Sequence, residues 1–78
     1  MGNTFEGVAE ILADISELEV SEIKLESSLQ NDLGIGSLMG LEIMVMIEKK
    51  FKIELEEKDL PMMLTPKDII RIIDERRS

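Results

Sequence analysis

The 78-residue chain contains no cysteine and no histidine. Those two absences remove thiolate and imidazole nucleophiles, the usual zinc ligands and any Ser-His-Asp triad built within the chain, so neither catalysis nor a resident metal is expected. No apolar run reaches the ~18 to 20 residues of a membrane-spanning helix, and the N-terminus lacks the basic segment and apolar core of a signal peptide. A cytoplasmic location with no transmembrane segment is the expectation. Positive charge is scarce: nine Lys and Arg stand against 17 Asp and Glu, a formal net charge of −8 and a sequence pI near 4.4. Such a chain repels a phosphate backbone and attracts electropositive protein surfaces, which points to protein partners and away from nucleic acid. Met1-Gly2 superficially suggests myristoylation, but Glu6 stands where that signal wants Ser or Thr. The length fits one domain, residues 1–78, with a modest core and no deep catalytic cleft, a size that suits a carrier or an adaptor.

What is present reads as helix. Phe5, Val8, Ile11, Leu12 and Ile15 lay one apolar stripe along a helix from about Thr4 to Leu18, with Asn3 and Glu6 as a start signal. From Glu19 to Gly36 the periodicity fails, although Val20, Ile23, Leu25, Leu29, Leu33 and Ile35 keep the stretch apolar enough to lie on a core. Connections longer than about 12 to 15 residues are uncommon in compact domains and tend to be functional. Within this one, Ser28 to Leu33 suits a single helical turn, with Leu29 and Leu33 on one side and Gly34 ending it. Pro61-Met62-Met63-Leu64 predicts a short helix with Pro61 in its first turn. Thr65 as cap, Pro66 as first residue and Asp68 in the first turn predict a last helix to about Arg76 that buries Ile69, Ile70 and Ile73, with Arg71, Arg76 and Arg77 towards its C-terminal end. The fold class is all-α: a small four-helix bundle of three main helices and one short one, with a long loop between helices 1 and 2.

The stretch Asp32-Leu33-Gly34-Ile35-Gly36-Ser37-Leu38 carries the chemistry. Two glycines loosen the chain ahead of a serine that stands where a helix cap belongs, and the helix that follows runs to about Lys52. Gly34, Gly36 and Gly40 do not make a phosphate loop, because no strand precedes them and no Gly-Lys-Ser/Thr follows. Gly36-x-x-x-Gly40 is equally empty as a membrane dimer motif, since charges follow closely. At 100° per residue, Gly40, Ile43, Met44, Ile47 and Phe51 fall within about 100° of one another and form a core stripe. Leu38, Leu41 and Val45, with Met39 and Met46, fall among the charges instead. Leu38, Leu41 and Val45 form an apolar ridge beside Ser37, flanked by Glu42 and Glu48, the usual composition of a docking surface. A helix buried all round or a homodimer seam is the alternative; a monomer is expected.

Taken together, Asp32-Leu33-Gly34-x-x-Ser37-Leu38, Leu41-Glu42, Glu48, Phe51, Ile53-Glu54-Leu55 and the isoleucine-rich last helix resemble the acyl carrier proteins almost end to end. The resemblance implies that Ser37 bears 4'-phosphopantetheine through a phosphodiester, whose thiol carries acyl groups as thioesters between enzymes of fatty-acid, polyketide or related biosynthesis. It implies a phosphopantetheinyl transferase and acyl-transferring and chain-extending enzymes as partners, with Leu38, Leu41, Glu42, Val45 and Glu48 at the docking surface. Ile43, Met44, Ile47 and Met63 are candidates for lining a space for an acyl chain. The chain departs from the family at Gly36, where an Asp is common, at Met39, where an acid is frequent, and at Lys49 and Lys50, which interrupt an acidic run. These departures suit a specialised carrier with its own partners. The alternative to a modified carrier is an unmodified helical adaptor that docks through the same helix, with Ser37 a cap only. A hydrolase using Ser37 has no internal base of the usual kind.

Overall fold

The computed structural model describes the backbone of residues 3–77 and the side chains along it other than those of Asn3 and Ser37. Three α-helices, α1 (Asn3–Ser16), α2 (Ser37–Phe51) and α3 (Pro66–Arg77), form the bundle, and α1 packs against both of the others. Two 3-10 segments complete it, one turn at Val20–Glu22 and a longer piece at Glu57–Met62 that leans on α2 and α3. No strand occurs among the described residues. The expected all-α bundle is therefore present, with the turn at Val20–Glu22 as an addition. The expected Asn3 cap and the reading of Met1-Gly2 lie outside what is described.

α1 forms because its apolar positions recur on one face. Val8, Ile11 and Leu12 enter the core and Phe5 and Ile15 are half-buried at its edges. Gly7 lets α2 come close: a Cβ there would stand 2.7 Å from Phe51 Cζ. The helix stops two residues short of the Leu18 predicted. Glu17 turns left-handed at φ 60°, and the Leu18 N–H donates to the Ala13 carbonyl at 3.0 Å, a bond that closes the helix end even without glycine. α2 ends in the same way at Lys52, φ 58°.

The long loop is pinned, as its apolar content predicts, by burial of Ile23, Leu29, Leu33 and Ile35, while Val20 and Leu25 stay exposed. The Leu29 N–H donates to the Leu64 carbonyl and the Lys67 N–H to the Leu25 carbonyl, both at 3.0 Å. The second bond also satisfies a first-turn donor of α3 that no intrahelical carbonyl can reach.

Two sequence expectations need correction. The short helix begins at Glu57, so Pro61 stands near its end and not in its first turn. Its start is set by Glu56 and Asp59: the Glu56 N–H donates to Asp59 Oδ2 at 2.9 Å, and Asp59 is buried. In α3, Ile69, Ile72 and Ile73 are the fully buried isoleucines and Ile70 is half-buried. Thr65 caps α3 as expected, its Oγ1 accepting from the Asp68 N–H at 3.2 Å. Arg76 stands in the last turn of its helix as expected, and from there it also reaches Asp59 and donates from Nη2 to both carboxylate oxygens at 2.7 Å. The Glu56 N–H holds the Asp59 carboxyl below the ordinary carboxylate range against the opposing effect of burial, and Arg76 adds to that pull.

Candidate functional site

The site is built from the turn that delivers the chain to α2. Ser28 starts it: its Oγ accepts from the Asn31 N–H at 3.1 Å, while Asp32 Oδ2 accepts from the Ser28 N–H at 2.8 Å. The Ser28 carbonyl accepts from the N–H groups of Asp32 and Leu33, and the Leu29 carbonyl from that of Ile35 at 2.8 Å. Gly34 makes the closing bond possible by taking φ +67°, a conformation L side chains rarely adopt. Asp32, Leu33 and Gly34 thus have structural work: a carboxylate that ties the turn, a buried anchor and a left-handed hinge.

Gly36 is the N-cap of α2, in extended conformation (φ −87°, ψ −179°), with its carbonyl accepting from the Gly40 N–H at 3.0 Å. None of the described side chains caps this end, and no acidic residue stands in the first turn. A Cβ on Gly36 would meet nothing within 4 Å. Helix N-termini carry unsatisfied N–H groups and a positive partial charge, so the junction favours an anion and leaves room for one. These are the surroundings that the phosphodiester of an attached arm needs, and the residues present fit it. Ser37 is the first residue of α2; its hydroxyl is outside the described side chains.

Two unlike surfaces flank the Ser37 position, which on the helical wheel lies about 60° from Gly40 and about 40° from Leu41. On one side Leu38 is 82% exposed, Leu41 42% and Val45 47%, with Glu42 exposed beside them. Met39 and Met46, expected among the charges, are half-buried against the core. Glu48 is likewise drawn inward: its Oε2 accepts from the Leu55 N–H at 2.8 Å and holds the chain that follows α2. Sequence alone placed Glu48 with the ridge because nothing local reveals a partner seven residues away.

On the other side a cleft of about 280 Å³ opens next to Gly36, between Leu29 and Ile35 of the turn, Gly40 and Ile43 of α2, and Leu60 and Met63. Of the four residues expected to line an acyl space, Ile43 and Met63 line this cleft. Met44 and Ile47 do not; both are packed into the core instead. The residues that sequence reasoning missed here are Leu60 and Gly40, which pack against each other in the cleft wall. At its rim Leu64 is an exposed apolar side chain.

The family described as "Phosphopantetheine attachment site" matches residues 6–73, nearly the whole chain. The chain belongs to the acyl carrier proteins. It is 34% identical to an acyl carrier protein of Phytoplasma mali, over 91% of this chain and 84% of that one. It is 36% identical to the meromycolate extension acyl carrier protein of Mycobacterium leprae, over 88% of this chain and 60% of that one. Against the non-reducing polyketide synthase dbaI of Emericella nidulans the identity reaches 42% over 99% of this chain, which spans only 3% of that protein. The carrier's cofactor is accordingly 4'-phosphopantetheine, and its family carries groups and does not itself transform them. No helix among the described residues is long and apolar enough to cross a membrane.

Proposed function

We propose that Ser37 is the residue to which the arm is attached, and that residues 1–78 act as one non-catalytic carrier domain in the cytoplasm. The observation that carries this is the open, uncapped start of α2 at Gly36, placed by the Gly34 hinge between an exposed ridge and an apolar cleft. In the attachment step Ser37 Oγ forms a bond to the pantetheine-bearing phosphorus of coenzyme A. The bond to adenosine 3',5'-bisphosphate breaks, and the hydroxyl proton passes to a base of the transferase. The carrier needs no base of its own for this, which agrees with the absence of histidine. When attached, the arm supplies the thiol that this cysteine-free chain lacks.

Leu38, Leu41 and Val45, with Glu42 at their edge, are the surface on which the transferase and the acyl-transferring and chain-extending enzymes dock. Lys49 and Lys50 make that helix less negative toward its far end, so partners with a mixed apolar and basic face fit it. Glu48 supports the reading less, because its carboxylate is engaged with Leu55. The cleft beside Gly36 takes the acyl chain.

Intact-mass measurement after incubation with coenzyme A and a promiscuous phosphopantetheinyl transferase tests the attachment. One added phosphopantetheine on the wild type and none on Ser37→Ala is the expected result. A wild type that stays unmodified, or a Ser37→Ala variant that still gains the arm, overturns it; the first outcome leaves an adaptor that docks through α2.

A further inference from the structure

Leu60 stands between the buried residues that line the cleft and the exposed ones, Pro61 and Leu64 among them. Leu29, Ile35, Ile43 and Met63 are buried members of the core, whereas Leu60 is half-buried. Its side chain lies over Gly40, one helical turn beyond the Ser37 position. A Cβ built on Gly40 would stand 2.7 Å from Leu60 Cδ1 and 3.8 Å from its Cγ. The hollow left by the missing side chain on α2 is filled by the tip of a side chain from the facing 3-10 helix. The backbone that bears Leu60 is held firmly. The preceding Asp59 is tied to Arg76 and to the Glu56 N–H, and the Leu60 carbonyl accepts from the N–H of buried Met63 at 3.0 Å. What can change at this point is therefore the rotamer of the isobutyl group and not the position of the helix.

We propose that Leu60, seated on Gly40, sets the length of acyl chain that this carrier shelters. The inference rests on the reading of Ser37 as the attachment residue. At liquid density the cleft holds on the order of nine water-sized groups, so a chain of medium length fills it. Carbons beyond that length remain in water and add no further burial. Truncating Leu60 lengthens the space. Adding a methyl to Gly40 drives the Leu60 tip into the cleft and shortens it, because the atom that must yield is the far end of a flexible side chain.

The test is a series of saturated acyl groups of increasing length, loaded on the arm of four proteins: wild type, Leu60→Ala, Gly40→Ala and the double variant. The thermal midpoint of each loaded form is compared with that of its own unloaded form. Stabilisation is expected to grow with each added carbon and then level off. In Leu60→Ala the plateau comes about three carbons later, the number of atoms that Leu→Ala deletes. In Gly40→Ala it comes earlier, and the double variant returns towards wild type. A plateau at one common length in all four proteins overturns the proposal. Should Leu60→Ala not fold, Leu60→Val carries the same test with a shift of about one carbon. Intact mass reports separately whether the arm was attached at all. If it was not, Ser37→Cys gives this cysteine-free chain one thiol, to which alkyl chains on a pantetheine-length linker are coupled. An unchanged length preference across the same backgrounds then overturns the Leu60 proposal on its own.

Discussion

The two ends of α2 are held in opposite ways. At its N-terminal end the helix starts on a glycine, without a side-chain cap, beside an exposed leucine and an open cleft. At its C-terminal end the following chain is tied back by Glu48, and Phe51, Leu55 and Arg76 line one groove, from which Arg76 reaches the buried carboxylate of Asp59. Lys50 and Glu10 add an exposed ion pair at 3.3 Å, of the kind that contributes little. Side-chain ties between distant parts of the chain are thus concentrated away from the serine. The end at Gly36 is organised by backbone conformation and by a local turn that Ser28 and Asp32 tie and Leu29 and Leu33 anchor.

Breaking the anchored end produces the largest effect. Asp59→Ala leaves the Arg76 guanidinium and the Glu56 N–H without their acceptor and is expected to cost about 2–3 kcal/mol in urea unfolding. That is a large part of the stability of a small domain. The same contact predicts a pH dependence. Because the Asp59 carboxyl titrates below its unfolded value, the stability it supplies is fully present above about pH 4 and is lost as pH falls through the folded value. Thermal midpoints measured from neutral pH downward should fall more steeply in wild type than in Asp59→Asn; equal slopes would refute this origin.

The serine end is sharpened by its two glycines, which look equivalent in sequence and differ in conformation. Gly34→Ala is expected to lose about 1 kcal/mol, since φ +67° is strained for any L side chain even in open space. Gly36→Asp is expected to gain about 0.5 kcal/mol, because its extended backbone suits a cap and α2 has no acid in its first turn. Chemical denaturation of the two variants decides whether both glycines are structural or only the first. Last and smallest, Val45→Lys should change stability by less than about 0.5 kcal/mol, as for an exposed helix position, while weakening engagement with a partner enzyme. Loss of the helical far-ultraviolet signal in Val45→Lys would place that ridge in the core.

The local grammar of this chain was readable before any fold. Helix spacing, the Thr65 cap, the Gly34 stop and the exposed ridge each depend on residues within one or two turns of one another, and each is where the spacing predicts. The misses share a cause. α3 has isoleucines at 69, 70, 72 and 73, which spread over about 160° of the wheel with Ile70 and Ile72 at its two edges, so periodicity cannot say which of those two faces inward. The neighbours decide, and they take Ile72. Glu48 reads as a solvated charge and Arg76 as a helix-end charge, and neither reading contains the partners, Leu55 and Asp59, which are set by how the connection between α2 and α3 folds back.

The sequence by itself determined where the three α-helices begin and where the serine stands, because caps, hinges and apolar periodicity act over a few residues. Only the tertiary structure decided which side chains meet across the cleft beside that serine. Leu60 lies over Gly40 because a 3-10 helix anchored through Asp59 is brought against α2, and a contact between residues so far apart in the chain leaves no periodic trace in it.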